Sequence, residues 1–166
     1  MFKEISADTL KIPVFEEIGK RWMLVAAAKE DGTVNAMTAS WGALGVLWGK
    51  NVFICYVRPQ RYTHEFTESS DSITLAFFDE QYRNALKICG SKSGRDCSKL
   101  AESGLTYSVK DGKTLINEAS RLIIGKKLYA GKIDPAFFCD KEVDKWYEND
   151  YHTVYVCEIE KILEKE

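Results

Sequence analysis

Apolar side chains along this chain fall in short runs separated by turn residues, and the period of each run suggests its structure. Trp22-Met23-Leu24-Val25-Ala26-Ala27-Ala28 is continuously apolar over strand length, Lys29-Glu30-Asp31-Gly32-Thr33 is a turn, and Val34 starts a return strand. Asp-Gly between two apolar runs marks a hairpin, and this one delivers residues 35–41 to its open end. Asn51 to Val57 is another run of strand length, led by Gly49-Lys50-Asn51 and stopped by Pro59. Ser72 to Phe78 alternates as a strand, and Thr153 to Ile159 does so again near the end. Ser120 to Leu128 is rich in β-formers and leads to a turn at Gly131, while Leu105 to Val109 precedes the Asp111-Gly112 turn. Helices are expected only in connections: His64 to Glu68 around Phe66, Asp79 through Leu86 and Ile88, and Ser98 to Glu102. Pro135 to Trp146 reads as an aromatic, acidic loop. The pattern predicts a mainly β, antiparallel fold closed as a barrel, with short peripheral helices.

Length and charge narrow this. A chain of 166 residues with 45% hydrophobic residues supports one well-buried core. A single domain over 1–166 is expected, with 1–20 as a lead-in packing on the barrel. A net charge of −2 provides no basic field, which argues against nucleic acid as the main partner. No apolar run approaches the roughly 20 residues needed to span a bilayer. The run at Trp22 is short and follows the charged stretch Glu16 to Arg21, so neither a signal peptide nor a membrane helix is expected, and the reading is a soluble cytoplasmic protein. The five cysteines are an odd number without a C-x-x-C pair. No metal site is expected, and free thiols in a reducing compartment are the simple reading.

Candidate chemistry gathers between Asn35 and Thr63. Asn35, Thr38 and Ser40 alternate with or adjoin Ala36, Met37, Ala39 and Trp41, as at a strand end opening into a loop of donors. After Val57 come Arg58-Pro59-Gln60-Arg61-Tyr62-Thr63, two guanidiniums and a hydroxyl at the end of a strand. Alone, such arginines read as solvated surface charges; beside a row of neutral donors they suit a ligand that is part polar ring and part anion. Gly90-Ser91-Lys92-Ser93-Gly94-Arg95-Asp96 is a second donor-rich segment. Its two glycines permit positive φ and inward-pointing N–H groups, although by composition it is also an ordinary surface loop. His152, one of two histidines, precedes the last strand.

These pieces together resemble the flavin reductase-like proteins built on the FMN-binding split β-barrel. The resemblance rests on Asn35-x-Met37-Thr38-x-Ser40-Trp41-Gly42, Val57-Arg58-Pro59-x-Arg61-Tyr62-Thr63, Cys89-Gly90-Ser91-x-Ser93-Gly94-Arg95-Asp96 and Asp150-Tyr151-His152, in that order. It implies an antiparallel barrel with connections of Greek-key type and a flavin site. FMN would be held by Asn35, Met37, Thr38, Ala39, Ser40, Trp41, Val57, Arg58, Arg61, Tyr62, Thr63, Phe77, Ser91, Ser93, Gly94 and Arg95. Phe77 reads equally as core. His152 is expected where a reduced nicotinamide would stack, although Tyr151 and Cys157 depart from the commoner pattern. The resemblance further implies an oxidoreductase fed by NAD(P)H or a redox protein, and a homodimer meeting through Phe137 to Tyr147. The alternatives are an FMN-binding electron carrier or storage module without its own turnover, and a split barrel holding another ligand such as pyridoxal phosphate or haem.

Overall fold

The computed structural model describes all 166 residues. Ten strands follow one another along the chain: β1 (Phe2–Ile5), β2 (Met23–Ala28), β3 (Val34–Ala39), β4 (Gly42–Leu47), β5 (Lys50–Val57), β6 (Ser72–Phe77), β7 (Tyr107–Lys110), β8 (Lys113–Ile116), β9 (Arg121–Lys132) and β10 (Thr153–Lys165). Eight of them form one sheet in the order β3-β2-β6-β9-β10-β5-β4, with β1 added on β10, while β7 and β8 make a separate hairpin. Every pairing is antiparallel. The neighbours β2/β6, β6/β9 and β10/β5 are far apart in sequence, which gives returns of Greek-key type. The ends of the path, β3 and β4, are consecutive in the chain and joined only by Ser40 and Trp41. The sheet curls until its two edges come together at this corner and part beyond it, and the fold is a split antiparallel barrel. Helical pieces occupy the connections: the turn α1 (Val14–Glu16) running into a π-turn at Glu17–Arg21, α2 (Thr63–Ser69), α3 (Arg83–Ser91) and α4 (Lys99–Glu102).

Strand β2 shows why its sequence is apolar without alternation. Leu24 and Ala26 face a cluster completed by Leu86 and Cys89 of α3, Leu100 of α4 and Ile116. Met23 and Val25 face the opposite way, into the barrel interior with Phe53, Leu75, Phe77, Ile123 and Tyr155. A strand covered on both faces needs no polar side, and truncating a leucine so enclosed costs about 2–5 kcal/mol. The preceding hairpin is built as its turn residues require. Gly32 takes φ 82°, and the Asp31 carboxylate accepts the Thr33 N–H at 2.9 Å.

Several elements differ from their sequence reading. The lead-in contributes a strand, β1, paired with β10 from Phe2/Lys165 to Ile5/Ile162. Strand β9 continues through the expected turn at Gly131, which pairs with Val154; the glycine makes room for the Tyr129 hydroxyl, which a Cβ at this position would strike. Asp79 precedes a 3-10 turn, Glu80–Tyr82, without a side-chain cap. The region from Pro135 to Trp146 contains two 3-10 segments, Pro135–Phe137 and Lys141–Trp146. Gly90 and Ser91 end α3 instead of opening a loop, and neither Gly90 nor Gly94 has positive φ. Gly94 is instead a point of close approach: a Cβ there would collide with Asn35 Oδ1 and lie 2.9 Å from the Tyr62 ring.

Candidate functional site

Because β3 and β4 part at Ser40-Trp41, the ends of β3 and β5 and the start of β10 leave a cleft at the corner. Its volume is about 180 Å³, and it is lined by Met37, Thr38, Ala39, Ser40, Trp41, Tyr56, Arg58, Arg61 and His152. Two larger hollows adjoin it. One of about 480 Å³ shares Thr38 and Ser40 and runs beside α3 past Leu86, Gly90 and Ser91. Another of about 510 Å³ shares Ser40, Trp41 and Tyr56 and runs under Val14, Phe15 and Ile18. Small-molecule sites typically occupy roughly 300–1,000 Å³, so the corner cleft with either neighbour reaches that range.

The two arginines are held in different ways. Pro59 breaks β5, and a turn closed by the Arg61 N–H on the Arg58 carbonyl at 3.0 Å brings both side chains to the cleft. Arg58 Nη1 donates to Asp150 Oδ2 at 2.7 Å and Nη2 to the Trp146 carbonyl at 2.7 Å, and its guanidinium lies 5.4 Å from the Tyr147 ring centre. Gln60 also donates to Asp150. The Glu148 N–H, the Gln60 amide and the Arg58 guanidinium hold the Asp150 carboxyl well below the usual carboxylate range. Arg61 has no carboxylate partner. It donates to the carbonyls of Gly90 at 3.2 Å and Cys89 at 3.4 Å, at the C-terminal end of α3 where helix carbonyls favour a cation. Burial, and then the Arg58 charge, lower its pKa.

Lys99, unread as a functional residue in the sequence, shares the Cys89 carbonyl with Arg61. It is 3% exposed, donates to Cys89 O at 3.3 Å and Lys92 O at 3.4 Å, and has no carboxylate partner. Burial first, then Arg61, pushes its pKa down to about 8. The C-terminal end of α3 thus carries two buried or half-buried cations balanced only by peptide dipoles. The signal available in the sequence was a lysine heading the apolar pair Leu100-Ala101, which reads as a solvated helix start.

His152 forms the opposite wall. It is 7% exposed, its ring is 5.2 Å from Trp41, and Nδ1 lies 3.1 Å from the Tyr147 hydroxyl. Burial, and then the nearby Arg58 charge, pushes its pKa down to about 4, so the imidazole is neutral at physiological pH. Trp146 meets Trp41 edge-on at 5.6 Å, and Tyr147 and Tyr151 pack at 4.9 Å. Residues 146–151 therefore form an aromatic strap along this wall. Tyr56, Gln60, Trp146, Tyr147 and Asp150 were not singled out from the sequence as site residues; Asp150 meets Arg58 from 92 positions away.

Of the candidates from the sequence, Met37, Thr38, Ala39, Ser40, Trp41, Arg58, Arg61 and His152 come together at the cleft, and Ser91 lines the hollow along α3. The Thr38 hydroxyl is committed to the Leu86 carbonyl at 2.5 Å. Asn35, Tyr62, Gly94 and Arg95 line a separate cavity of about 540 Å³ that also contains Lys99. There Arg95 pairs with Glu65 at 2.6 Å, and Asn35 Nδ2 donates to the fully buried Thr63 hydroxyl at 2.8 Å. Ser93 accepts the Arg95 N–H at 3.2 Å. Val57 and Phe77 are not brought to the cleft: both are buried in the barrel interior. The clustered group fits a flavin phosphate in kind. Backbone and hydroxyl donors at 38–41 suit a pyrimidine edge, Met37 and Trp41 suit an apolar ring, and Arg61 offers an uncompensated cation for a phosphate.

A family model described as flavin reductase like domain matches residues 15–166. No curated protein sequence matches the chain. Among solved structures it is similar to an FMN-binding domain of a flavin reductases-like enzyme from Shewanella baltica, at 14% identity and TM-score 0.70, over 99% of this chain and 77% of that one. Flavoredoxin of Desulfovibrio vulgaris is similar at 20% identity and TM-score 0.69, over 99% and 76%. An FMN-binding protein from Thermus thermophilus with bound p-hydroxybenzaldehyde is similar at 16% identity and TM-score 0.67, over 98% and 80%. At these identities the structural likeness establishes the shared fold.

Proposed function

The chain belongs to the flavin reductase-like domain family, and from that premise we propose that it is an FMN-binding oxidoreductase that passes electrons from NAD(P)H or another donor to an acceptor. The observation that carries the reading is Arg61, a largely buried guanidinium with no carboxylate partner, set beside the donor-rich corner at 38–41. An anion neutralising it recovers much of the cost of burying that charge. FMN would lie along the corner and into the hollow beside α3, its phosphate toward Arg61 and its pyrimidine edge toward the backbone of residues 38–41 and the Ser40 hydroxyl. The bound flavin supplies the redox chemistry, accepting electrons from one partner and giving them to the next. The chain would hold the ring and keep water from it with Met37, Trp41 and a neutral His152 packed on Trp41. Being neutral, His152 serves as a hydrogen-bonding and packing wall, not as a charge beside a nicotinamide.

A second reading, an electron carrier or flavin store without NAD(P)H turnover, is favoured by the likeness to a flavoredoxin. The absorption spectrum of the purified protein, followed on addition of NADH and then NADPH under anaerobic conditions, separates the two. Bleaching of the flavin band supports the reductase; a flavin that stays oxidised until a protein partner is added supports the carrier. A colourless protein that takes up no FMN overturns both. We place the protein in the cytoplasm, consistent with its free cysteines; no helix is long and apolar enough to cross a membrane. We also propose that two barrels pair, with Phe137 and Trp146, 82% and 56% exposed, on the face that meets the second copy.

A further inference from the structure

The two ends of the main sheet are treated differently. Strand β3 is covered by α2 and α3, while β4 at the other end is exposed from Gly45 onward. Leu47 and Lys50 flank a two-residue turn and face each other in the ladder, so the alternate residues Gly42, Leu44 and Val46 turn their N–H and C=O groups away from β5. No backbone hydrogen bond outside the ladder reaches them. Exposed edges are normally protected by charge, proline or a bulge. Strands β1 and β7, each paired on one side only, carry Lys3, Glu4 and Lys110. Strand β4 reads Gly-Ala-Leu-Gly-Val-Leu, with neither charge nor proline, and pairs with β5 in unbroken register. The nearby Lys50 is taken up by Glu158 at 2.6 Å. Such an edge is a template for an added strand, and two copies of it can meet without charge repulsion.

The tip of this edge carries a residue that one copy does not explain. Trp48 and Gly49 have φ 53° and 69°, as in the type I′ hairpin turn, whose first position favours Asn, Asp or Gly and disfavours a bulky side chain. Trp48 stands there nonetheless, 61% exposed. Neither turn geometry nor burial within its own chain accounts for the indole. An opening for it lies at the other end of the same strand, in the hollow of about 510 Å³ walled by Val14, Phe15, Ile18, Trp41 and Gly42 among others. Two β4 strands paired antiparallel about a two-fold axis overlap most when the axis passes Leu44 or Gly45. The first register sets the partner's Trp48 opposite Ser40, the second opposite Gly42, and both of those residues line the hollow. Trp41, between them, meets Trp146 edge-on at 5.6 Å, so the β4 edge is continuous with the aromatic face at Trp146.

We propose that two copies of this chain pair β4 with β4, antiparallel about a two-fold axis, and that each seats its Trp48 in the other's hollow under the lead-in. This interface rests on the pairing of two barrels proposed above and gives that pairing a strand, a register and an exchanged side chain. Because the hollow shares Ser40, Trp41 and Tyr56 with the corner cleft, the second copy supplies part of the wall beside the site. Sedimentation of the purified full chain over a range of concentrations should show a dimer. Trp48→Asn suits the turn better than tryptophan does, so the variant should fold, and it should weaken the dimer about 30-fold or more. Val46→Pro removes an outward N–H while sparing the ladder to β5, and it should weaken the dimer as well. Amide hydrogen exchange read by NMR should find Leu44 and Val46 protected in the wild-type dimer and exchanging freely in Trp48→Asn. A wild-type chain that stays monomeric overturns this interface together with the pairing of barrels. A dimer that keeps its affinity in Trp48→Asn, or whose Leu44 and Val46 amides exchange freely, overturns this interface alone. FMN titration of the same samples reports on the flavin reading separately, so the failures are distinguishable.

Discussion

Arg58 and Arg61 stand three residues apart on opposite walls of one cleft, and the walls answer their charges differently. On the strap side, Arg58 meets a carboxylate, a carbonyl and an aromatic face. The protein neutralises the charge itself and uses it to hold residues 146–150 against the barrel. On the α3 side, Arg61 meets only carbonyl oxygens, and Lys99, which lines the separate cavity behind it, likewise has no carboxylate partner. Dipoles orient a cation but do not cancel its charge, so this wall remains attractive to an anion. The comparison teaches that a cation found in a cleft is a ligand candidate in proportion to what the protein has left unpaired. The two arginines carry the same functional group and look alike in a motif.

The largest effect that would sharpen this contrast is on cofactor affinity. Arg61→Ala should weaken FMN binding about 100-fold, roughly 3 kcal/mol, as loss of a charge-assisted contact to a phosphate does. Arg58→Ala should change it far less, and fluorescence titration of the two apoproteins with FMN would break the contrast if the order were reversed. The next effect is on stability against pH. His152 has a folded pKa of about 4, against 6.5 for a histidine free in water. The unfolded chain therefore binds the proton first, and folding stability falls as pH drops from about 6.5 to 4, then levels off. The loss should reach about 3 kcal/mol, and His152→Gln should remove that part of the slope in thermal unfolding measured from pH 7 to pH 4.5. The smallest effect belongs to the strap. Asp150→Asn should speed amide hydrogen exchange in residues 141–149 while leaving β2 and β6 protected and FMN affinity within a few-fold. Unchanged exchange in the strap would mean that the Arg58 contact does not hold it.

Legibility in the sequence followed the same division between local and distant causes. The β2/β3 hairpin could be read because Asp31-Gly32 specifies its own turn and β2 is apolar on both faces. Strand β4 could not, since it contains Gly42 and Gly45 and its Val46 and Leu47 point to solvent, leaving no period of two. Gly90 and Gly94 suggested a donor-rich loop with positive φ and inward-pointing N–H groups. One ends a helix and the other lets the chain press on Asn35, a contact between residues 59 positions apart. The cleft residues at 37–41, 58, 61 and 152 were visible because their motifs resemble a family with a shared site. What each charge does there was not visible, because Asp150, Trp146 and the α3 carbonyls are brought to it only by the fold.

The most direct test of the account compares FMN with riboflavin, which has the same ring and lacks the phosphate, in titrations of the same apoprotein. If the uncompensated cation at the end of α3 is the anchor, FMN binds about 100-fold more tightly than riboflavin, and that preference collapses in Arg61→Ala. Equal affinity for the two flavins, or a preference that survives in Arg61→Ala, would contradict it.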